Sequence, residues 1–402
     1  MATKEQLLEI ELKAKNGIKL SKDEKAILKE NNAEAKAKKG KMSFGERMQA
    51  ASKSEYSQLM GDDQVDKFPI RDYIDTGNVL LNAQISANGK TGGMPSGRVW
   101  QLAGESSVGK TYLGLETLKN AQKQGYFGIL YDSEMANNDK EALKKRGINT
   151  NNLLYIPIDT VENLKTSMLN IIEEAESTDK IFIMVDSIGN LSTRKELEDS
   201  IDGSTTKDMT RPAQLKALFR TVTIKAGVKN VPVIAINHTY ANMGGFGGPV
   251  IAGGGGPAYN SSITNQFSKA QEKDSKGNTS GALLTSTVTK CRTAKEKTKV
   301  KFTIDFEDGL TRYSGLEQFC LDEKLIEKSS IKEKDKAGKE KKIDGFAFTK
   351  KTGKDGFVKK FTDEIWEEFL EGFLYNFLHE KFSYQSVSEE LGIDEEEDDE
   401  EE

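Results

Sequence analysis

The residues best equipped for chemistry lie in Gly104-Glu105-Ser106-Ser107-Val108-Gly109-Lys110-Thr111, which fits G-x-x-x-x-G-K-[ST] at every position. Such a turn points successive backbone N–H groups at a phosphate, and a helix starting at its end adds the positive end of its dipole. Lys110 would bridge the β- and γ-phosphates, and the Thr111 hydroxyl would ligate Mg²⁺. Two carboxylates belong to the same expectation. Asp186 ends the apolar run Ile181-Phe-Ile-Met-Val and suits an acid that holds Mg²⁺ or its water. Glu134 follows Leu130-Tyr-Asp132-Ser, and a carboxylate within reach of a γ-phosphate can orient and deprotonate water.

These groups converge only if the elements carrying them run parallel. Short apolar runs at Val99–Ala103, Phe127–Tyr131, Leu153–Ile158, Ile181–Val185 and Val231–Ile236 read as buried strands. Helix-period segments separate them at Lys110–Gln124, Asn138–Arg146, Val161–Ser177 and Met209–Ala226. Buried strands alternating with helices imply a mainly parallel sheet flanked by helices, an α/β fold whose strands deliver their C-terminal ends to one edge. Gly281–Lys290 and Val300–Phe306 alternate and read as added strands.

The chain divides into a small helical and linker region (1–73), the core (74–316), a lysine-rich C-terminal α+β region (317–388) and an acidic tail (389–402) expected to be disordered. Gly40 and Ser52–Ser57 read as joints, and Thr352-Gly353-Lys354-Asp355-Gly356 as a hairpin turn. The aromatics of Asp363–Phe382 recur at helical spacing and read as core.

Hydrophobic residues are 36% and charged residues 30% of the 402, and no apolar stretch approaches the ~20 residues of a membrane span. Two cysteines in no CxxC spacing and only two histidines exclude a disulfide framework, a zinc site and a His-rich centre. With no leader pattern, a cytoplasmic protein is expected (host cytoplasm if phage-encoded). Net charge is −6, yet the final nine residues are all acidic, so the rest is +3. The tail reads equally as a solubility segment or as a competitor for basic surface.

From about Leu80 to Leu316 the chain resembles the RecA family, nearest the UvsX-type recombinases of tailed phages. The resemblance rests on Thr91-Gly-Gly-Met-Pro-Ser-Gly97, the phosphate loop, Tyr131-Asp-Ser-Glu134, Val185-Asp-Ser-Ile-Gly-Asn-Leu191, Asp208-Met-Thr-Arg211, Leu218-Phe-Arg220, Ile234-Ala-Ile-Asn-His238-Thr-Tyr240 and Tyr313-Ser-Gly-Leu316. It implies a DNA-stimulated ATPase using ATP and Mg²⁺ and exchanging DNA strands as a self-assembled filament on single-stranded DNA. Double-stranded DNA, a single-stranded-DNA-binding protein and a loading mediator would be its partners. Glu134 becomes the base, Asp186 the metal acid and His238 a γ-phosphate sensor. Lys290 and Arg292, in Thr289-Lys-Cys-Arg292, would reach a neighbouring subunit's ATP. The family's adenine-stacking aromatic falls at Glu141, which leaves base recognition unexplained.

Two segments are candidates for touching DNA. Ser192–Asp208 carries Arg194, Lys195 and Lys207, with Arg211 beyond. The Gly-rich stretch after His238 lacks periodicity and holds Met243 and Phe246, which could lean on bases. The lysines after Ser314 offer a surface for duplex. The alternatives are a RecA-fold hexameric helicase and a nucleotide-gated scaffold without hydrolysis.

Overall fold

A computed structural model describes residues 10, 13, 20–29, 42–59, 68–176, 178–203, 209–240, 242, 249–273, 277, 279–334 and 340–384. Gly40, Lys207, Met243, Phe246 and the acidic tail lie outside these. The chain divides into two compact units, Met1–Pro69 and Ile70–Glu402. In the first, α1 (Phe44–Ser52) starts at a capping box in which Ser43 and Glu46 satisfy each other's backbone N–H.

The second unit opens on a small antiparallel pair, β1 (Tyr73–Ile74) with β2 (Met94–Pro95), enclosing the buried helix α2 (Val79–Ser86). The main sheet has ten strands. Five are the expected ones: β3 (Val99–Gly104), β4 (Phe127–Asp132), β5 (Leu153–Pro157), β6 (Ile181–Asp186) and β7 (Val233–Tyr240), although β5, at the sheet edge, buries none of its residues. Short β8 (Val250–Ile251) pairs with β7. The sheet continues through β9 (Ile263–Lys273), β10 (Thr279–Cys291), β11 (Lys299–Asp305) and β12 (Gly309–Leu310). Its order is β12-β11-β10-β9-β3-β7-β6-β4-β5, and the six strands from β9 to β5 are parallel.

Successive side chains of the central strands enter different cores, which explains their unbroken apolar runs. Leu102, Leu130, Met184 and Ile236 face one core with helix α3 (Lys110–Lys123). Ile129, Ile183, Val185 and Val233 face the other. There they pack with α5 (Val161–Glu174) and α7 (Arg211–Lys229), between which come the small α4 (Lys140–Lys145) and the exposed α6 (Arg194–Ile201). Two further helices, α8 (Gly255–Asn260) and α9 (Leu316–Asp322), follow β8 and β12.

Five corrections to the sequence reading arise here. Strand β9 was not anticipated, because its inner half carries polar residues. The segment 192–208 is not wholly loop, since Thr193 caps the turns of α6. The stretch after His238 regains structure at β8 and α8. A long hairpin, β13 (Ile326–Lys334) with β14 (Glu340–Phe348), precedes the expected turn, which joins β14 to β15 (Phe357–Val358). The aromatic helix is divided into α10 (Asp363–Phe369) and α11 (Tyr375–Phe382) by one π turn over Leu370–Leu374. Its core role holds: Trp366, Phe369, Leu378 and Phe382 are buried in the same core as α2 and β10. Among the described residues no helix is long and apolar enough to cross a membrane.

The polar residues of β9 have a structural use. Asn265 Oδ1 accepts from the fully buried Trp100 Nε1 at 2.9 Å. Its Nδ2 donates to Ser286 Oγ at 2.8 Å and Gln84 Oε1 at 3.2 Å, while Gln84 Nε2 donates to the carbonyls of Ser286 and Thr298. This closed circuit ties α2, β3, β9 and β10 without an orphan. Asn265→Ala should therefore lower stability by about 3 kcal/mol in urea unfolding, whereas Ser286→Ala should cost about 1 kcal/mol. A wild-type midpoint for Asn265→Ala would show that the circuit contributes nothing.

Candidate nucleotide site

The phosphate loop joins β3 to α3. Gly109 sits at φ +92°, open to glycine and costly for other residues. At Gly104 a β-carbon would lie 2.7 Å from the Phe267 carbonyl, so only glycine lets β9 pass this closely. Lys269 of β9, which the sequence reading missed along with its strand, donates to the Ser107 carbonyl at 2.6 Å and braces the loop from outside. Glu105, Ser106 and Ser107 are exposed on the loop, and Val108 is buried beneath it.

Inside the loop, Lys110 is almost fully buried, and its ammonium donates to the carbonyls of Gly104 (2.9 Å) and Glu105 (2.6 Å). Burial pushes its pKa down, and the charges of Asp186 and Glu134 oppose that shift. Thr111 Oγ1 donates to Asp186 Oδ2 at 2.8 Å, and Asn137 Nδ2 donates to the same oxygen at 3.1 Å. A hydroxyl and a carboxylate oxygen in contact are hard ligands suited to Mg²⁺, which commonly takes its other ligands from water and phosphate.

Register explains why these groups meet. Gly104 is level with His238 across β3 and β7, and Asp132 with Asp186 across β4 and β6. Glu134 then turns inward because Asp132 holds its turn: the Asp132 carboxylate accepts from the N–H groups of Glu134 (2.9 Å) and Asn137 (2.8 Å). Ser187 Oγ donates to Glu134 Oε1 at 2.9 Å, and His238 Nε2 lies 3.1 Å from that oxygen and 3.3 Å from Ser187 Oγ. Lys110, Thr111, Glu134, Asp186 and His238 line one cleft of about 300 Å³. Asn137 and Ser187 were not singled out from sequence, although both sit one to three residues from a carboxylate that was.

The other expected residues lie elsewhere. Antiparallel β10 carries Lys290 and Arg292 to the edge where the parallel strands begin, since Cys291 pairs with Ile263 and Ile263 with Trp100. That edge is opposite the phosphate loop. Lys290 donates there to the carbonyls of Ala258 (3.3 Å) and Tyr259, and Arg292 is exposed. Arg194 and Lys195 are exposed on the first turn of α6, where Arg194 donates to Asn163 Oδ1 at 2.9 Å. Arg211, a candidate for touching DNA, donates through its guanidinium to the carbonyls of Leu191 (2.7 Å), Ile188 (3.1 Å) and Gly189. Glu141 is exposed on α4 and pairs with Lys144 at 2.9 Å.

Asp186 is 2% exposed, and burial raises its pKa despite the two hydrogen bonds that lower it. An acid that holds its proton more tightly when folded contributes stability below its unfolded pKa and loses it as pH rises. At neutral pH, Asp186→Asn should therefore raise the urea midpoint of the protein measured without nucleotide. A lower midpoint would mean that the carboxylate is a net stabiliser.

The RecA N-terminal domain family matches residues 54–311. A recombination and repair protein of Enterobacteria phage T4 is 34% identical over 259 residues, 64% of each chain. The mitochondrial DNA repair protein recA homolog 3 of Arabidopsis thaliana is 26% identical over 72% of this chain and 67% of its own. Protein RecA of Anaplasma marginale is 28% identical over 64% and 70% respectively. The match to the phage protein thus spans a little under two thirds of that relative's length. With a family match over more than half of its length and the nucleotide cleft formed by the matched segment, this chain belongs to the RecA family.

Proposed function

We propose that the chain is an ATP-dependent DNA strand-exchange recombinase that assembles as a filament on single-stranded DNA. The observation that carries the reading is the link between Glu134 and the glycine-rich segment through His238. On one side His238 Nε2 is 3.1 Å from Glu134. On the other, the His238 carbonyl accepts from Ala252 N at 2.9 Å, and Asn237 Nδ2 donates to Ala252 O at 2.8 Å. A change at the γ-phosphate that moves His238 therefore moves both ends of the segment expected to touch DNA.

Within the cleft, the loop amides and Lys110 bind and orient the triphosphate. Mg²⁺ held by Thr111 and Asp186 would supply neutralisation of phosphate charge. Glu134 receives the proton of the attacking water, and Ser187 and His238 fix its orientation. Lys290 and Arg292, on the opposite edge, would meet the triphosphate of a second copy and stabilise its developing charge. Duplex DNA would meet the hairpin region, where Lys328, Lys342 and Lys359 line a groove of about 480 Å³.

Lys110→Ala should lower DNA-stimulated ATP turnover by about 100-fold or more and abolish strand exchange between homologous DNAs. Wild-type turnover in that variant would defeat the assignment. His238→Ala should bind single-stranded DNA equally with ATP and ADP, whereas the parent should prefer ATP; a preserved preference would break the proposed link.

Salt titrations separate the roles of the cations. Lys195→Ala should reduce the slope of log affinity against log salt by about 0.7, one phosphate contact on a single strand. Arg211→Ala should weaken binding with the slope unchanged, because its guanidinium holds main-chain carbonyls. A slope loss for Arg211→Ala as large as for Lys195→Ala would make Arg211 a phosphate ligand.

A further inference from the structure

Glu134 sits in a turn that needs holding from outside. Met135, the next residue, has φ +55°, in the left-handed region that favours glycine. Such a conformation persists only where the surroundings over-determine it. Asp132, 1% exposed, is the anchor: Oδ1 accepts from Glu134 N at 2.9 Å, and Oδ2 accepts from Asn137 N at 2.8 Å. Asn137 Nδ2 in turn donates to Asp186 Oδ2 at 3.1 Å. One carboxylate thus sets the candidate base and a partner of the metal acid together. The terminal torsion of an aspartate is soft, so the plane of this carboxylate depends on its donors. A third donor arrives from the neighbouring strand: Tyr155 Oη donates to Asp132 Oδ2 at 3.2 Å. Tyr155 is on edge strand β5, level with Leu130 of β4, and Asp132 lies two residues further along the same face. That offset is about 6.6 Å along the strand, which a phenol covers and a serine or threonine hydroxyl does not. Met135 Sδ is 3.7 Å from the same hydroxyl, but an ionised carboxylate is the far stronger acceptor. Burial and the Asp132 charge push the phenol's pKa up to about 12, so it remains a donor at neutral pH.

We propose that Tyr155 is a positioning residue for ATP hydrolysis: by fixing the Asp132 carboxylate, it holds Glu134 at the angle from which the attacking water is deprotonated. This rests on the reading of Glu134 as the base and adds the residue that aims it. Tyr155 is outside the set of residues lining the phosphate cleft, and β5 is two strands from β6. The phenol therefore reaches the reaction only through Asp132. Its loss leaves the loop amides, Lys110 and Thr111 in place, so nucleotide binding is spared while the chemical step slows. Small displacements suffice, since a misplacement of ~1 Å in a catalytic group costs about 100-fold in rate.

Turnover on single-stranded DNA and calorimetric titration with ATP and Mg²⁺, both on the full chain, test the assignment. Tyr155→Phe keeps the ring and removes the donor. It should lower kcat about 5- to 10-fold, with KM and ATP affinity within about twofold of the parent. Unchanged kcat, or a loss of ATP affinity as large as the loss of kcat, would overturn the proposal. A tyrosine that served folding alone would move the urea midpoint and leave kcat in place. Asp132→Ala should lower kcat further, and adding Tyr155→Phe to it should cost nothing more. Losses that multiply in the double variant would mean that Tyr155 acts by another route, and the proposal would fall. Should Asp132→Ala fail to fold, the kcat and affinity of Tyr155→Phe decide alone. Glu134→Gln reports on the base itself and should reduce turnover by about 100-fold or more while ATP still binds. If it turned over like the parent, the base reading would fall and the positioning role with it. A dead Glu134→Gln beside a fully active Tyr155→Phe would remove the positioning role alone.

Discussion

One buried oxygen holds the site together. Asp186 Oδ2 accepts from Thr111 at the start of α3 and from Asn137 in the turn after β4, while its own backbone ends β6. Three chain segments far apart in sequence are thus pinned at one point, at the expense of burying a carboxylate. The Lys110 ammonium nearby lessens that expense, and a bound divalent ion would remove most of it. Burial of this acid therefore opposes its ionised form, and in the proposed mechanism a bound cation would couple stability to ligand affinity through it.

The sheet order makes the arrangement possible. β7 lies between β3 and β6, so a residue at its end faces the phosphate loop on one side and the metal acid on the other. His238 occupies that place. A residue at the end of β5, two strands from β6, would be too remote to touch the same phosphate. The same logic sends antiparallel β10 the other way, and its cations to the far edge. A single subunit cannot bring Lys290 to its own cleft without breaking the sheet, and this is why assembly enters the proposed mechanism.

Much of this was legible in the sequence, for identifiable reasons. The central strands could be read because both of their faces are buried, leaving no polar alternation. The phosphate loop could be read because its geometry admits few residue types. Strand β9 was hidden because Asn265 and its partners form a polar circuit inside the core, so its apolar pattern is broken where it is most buried. Helix α6 was hidden because it is only eight residues long and buries none of them. Arg211 shows a different limit. A cation's type signals anion binding, but carbonyl oxygens satisfy a guanidinium equally well, and only coordinates distinguish the two. The candidate carboxylates Glu134 and Asp186 were visible, whereas Ser187 and Asn137, which hydrogen-bond to them, were not. Small polar residues are common in turns for local reasons, so nothing in their type marks them.

The pairing of β7 with β8 has one more consequence. Tyr240 is opposite Val250 in the register, so the two flanks of the intervening stretch are paired directly to each other. A displacement of the end of β7 therefore carries both flanks together, and neither can shift without its partner.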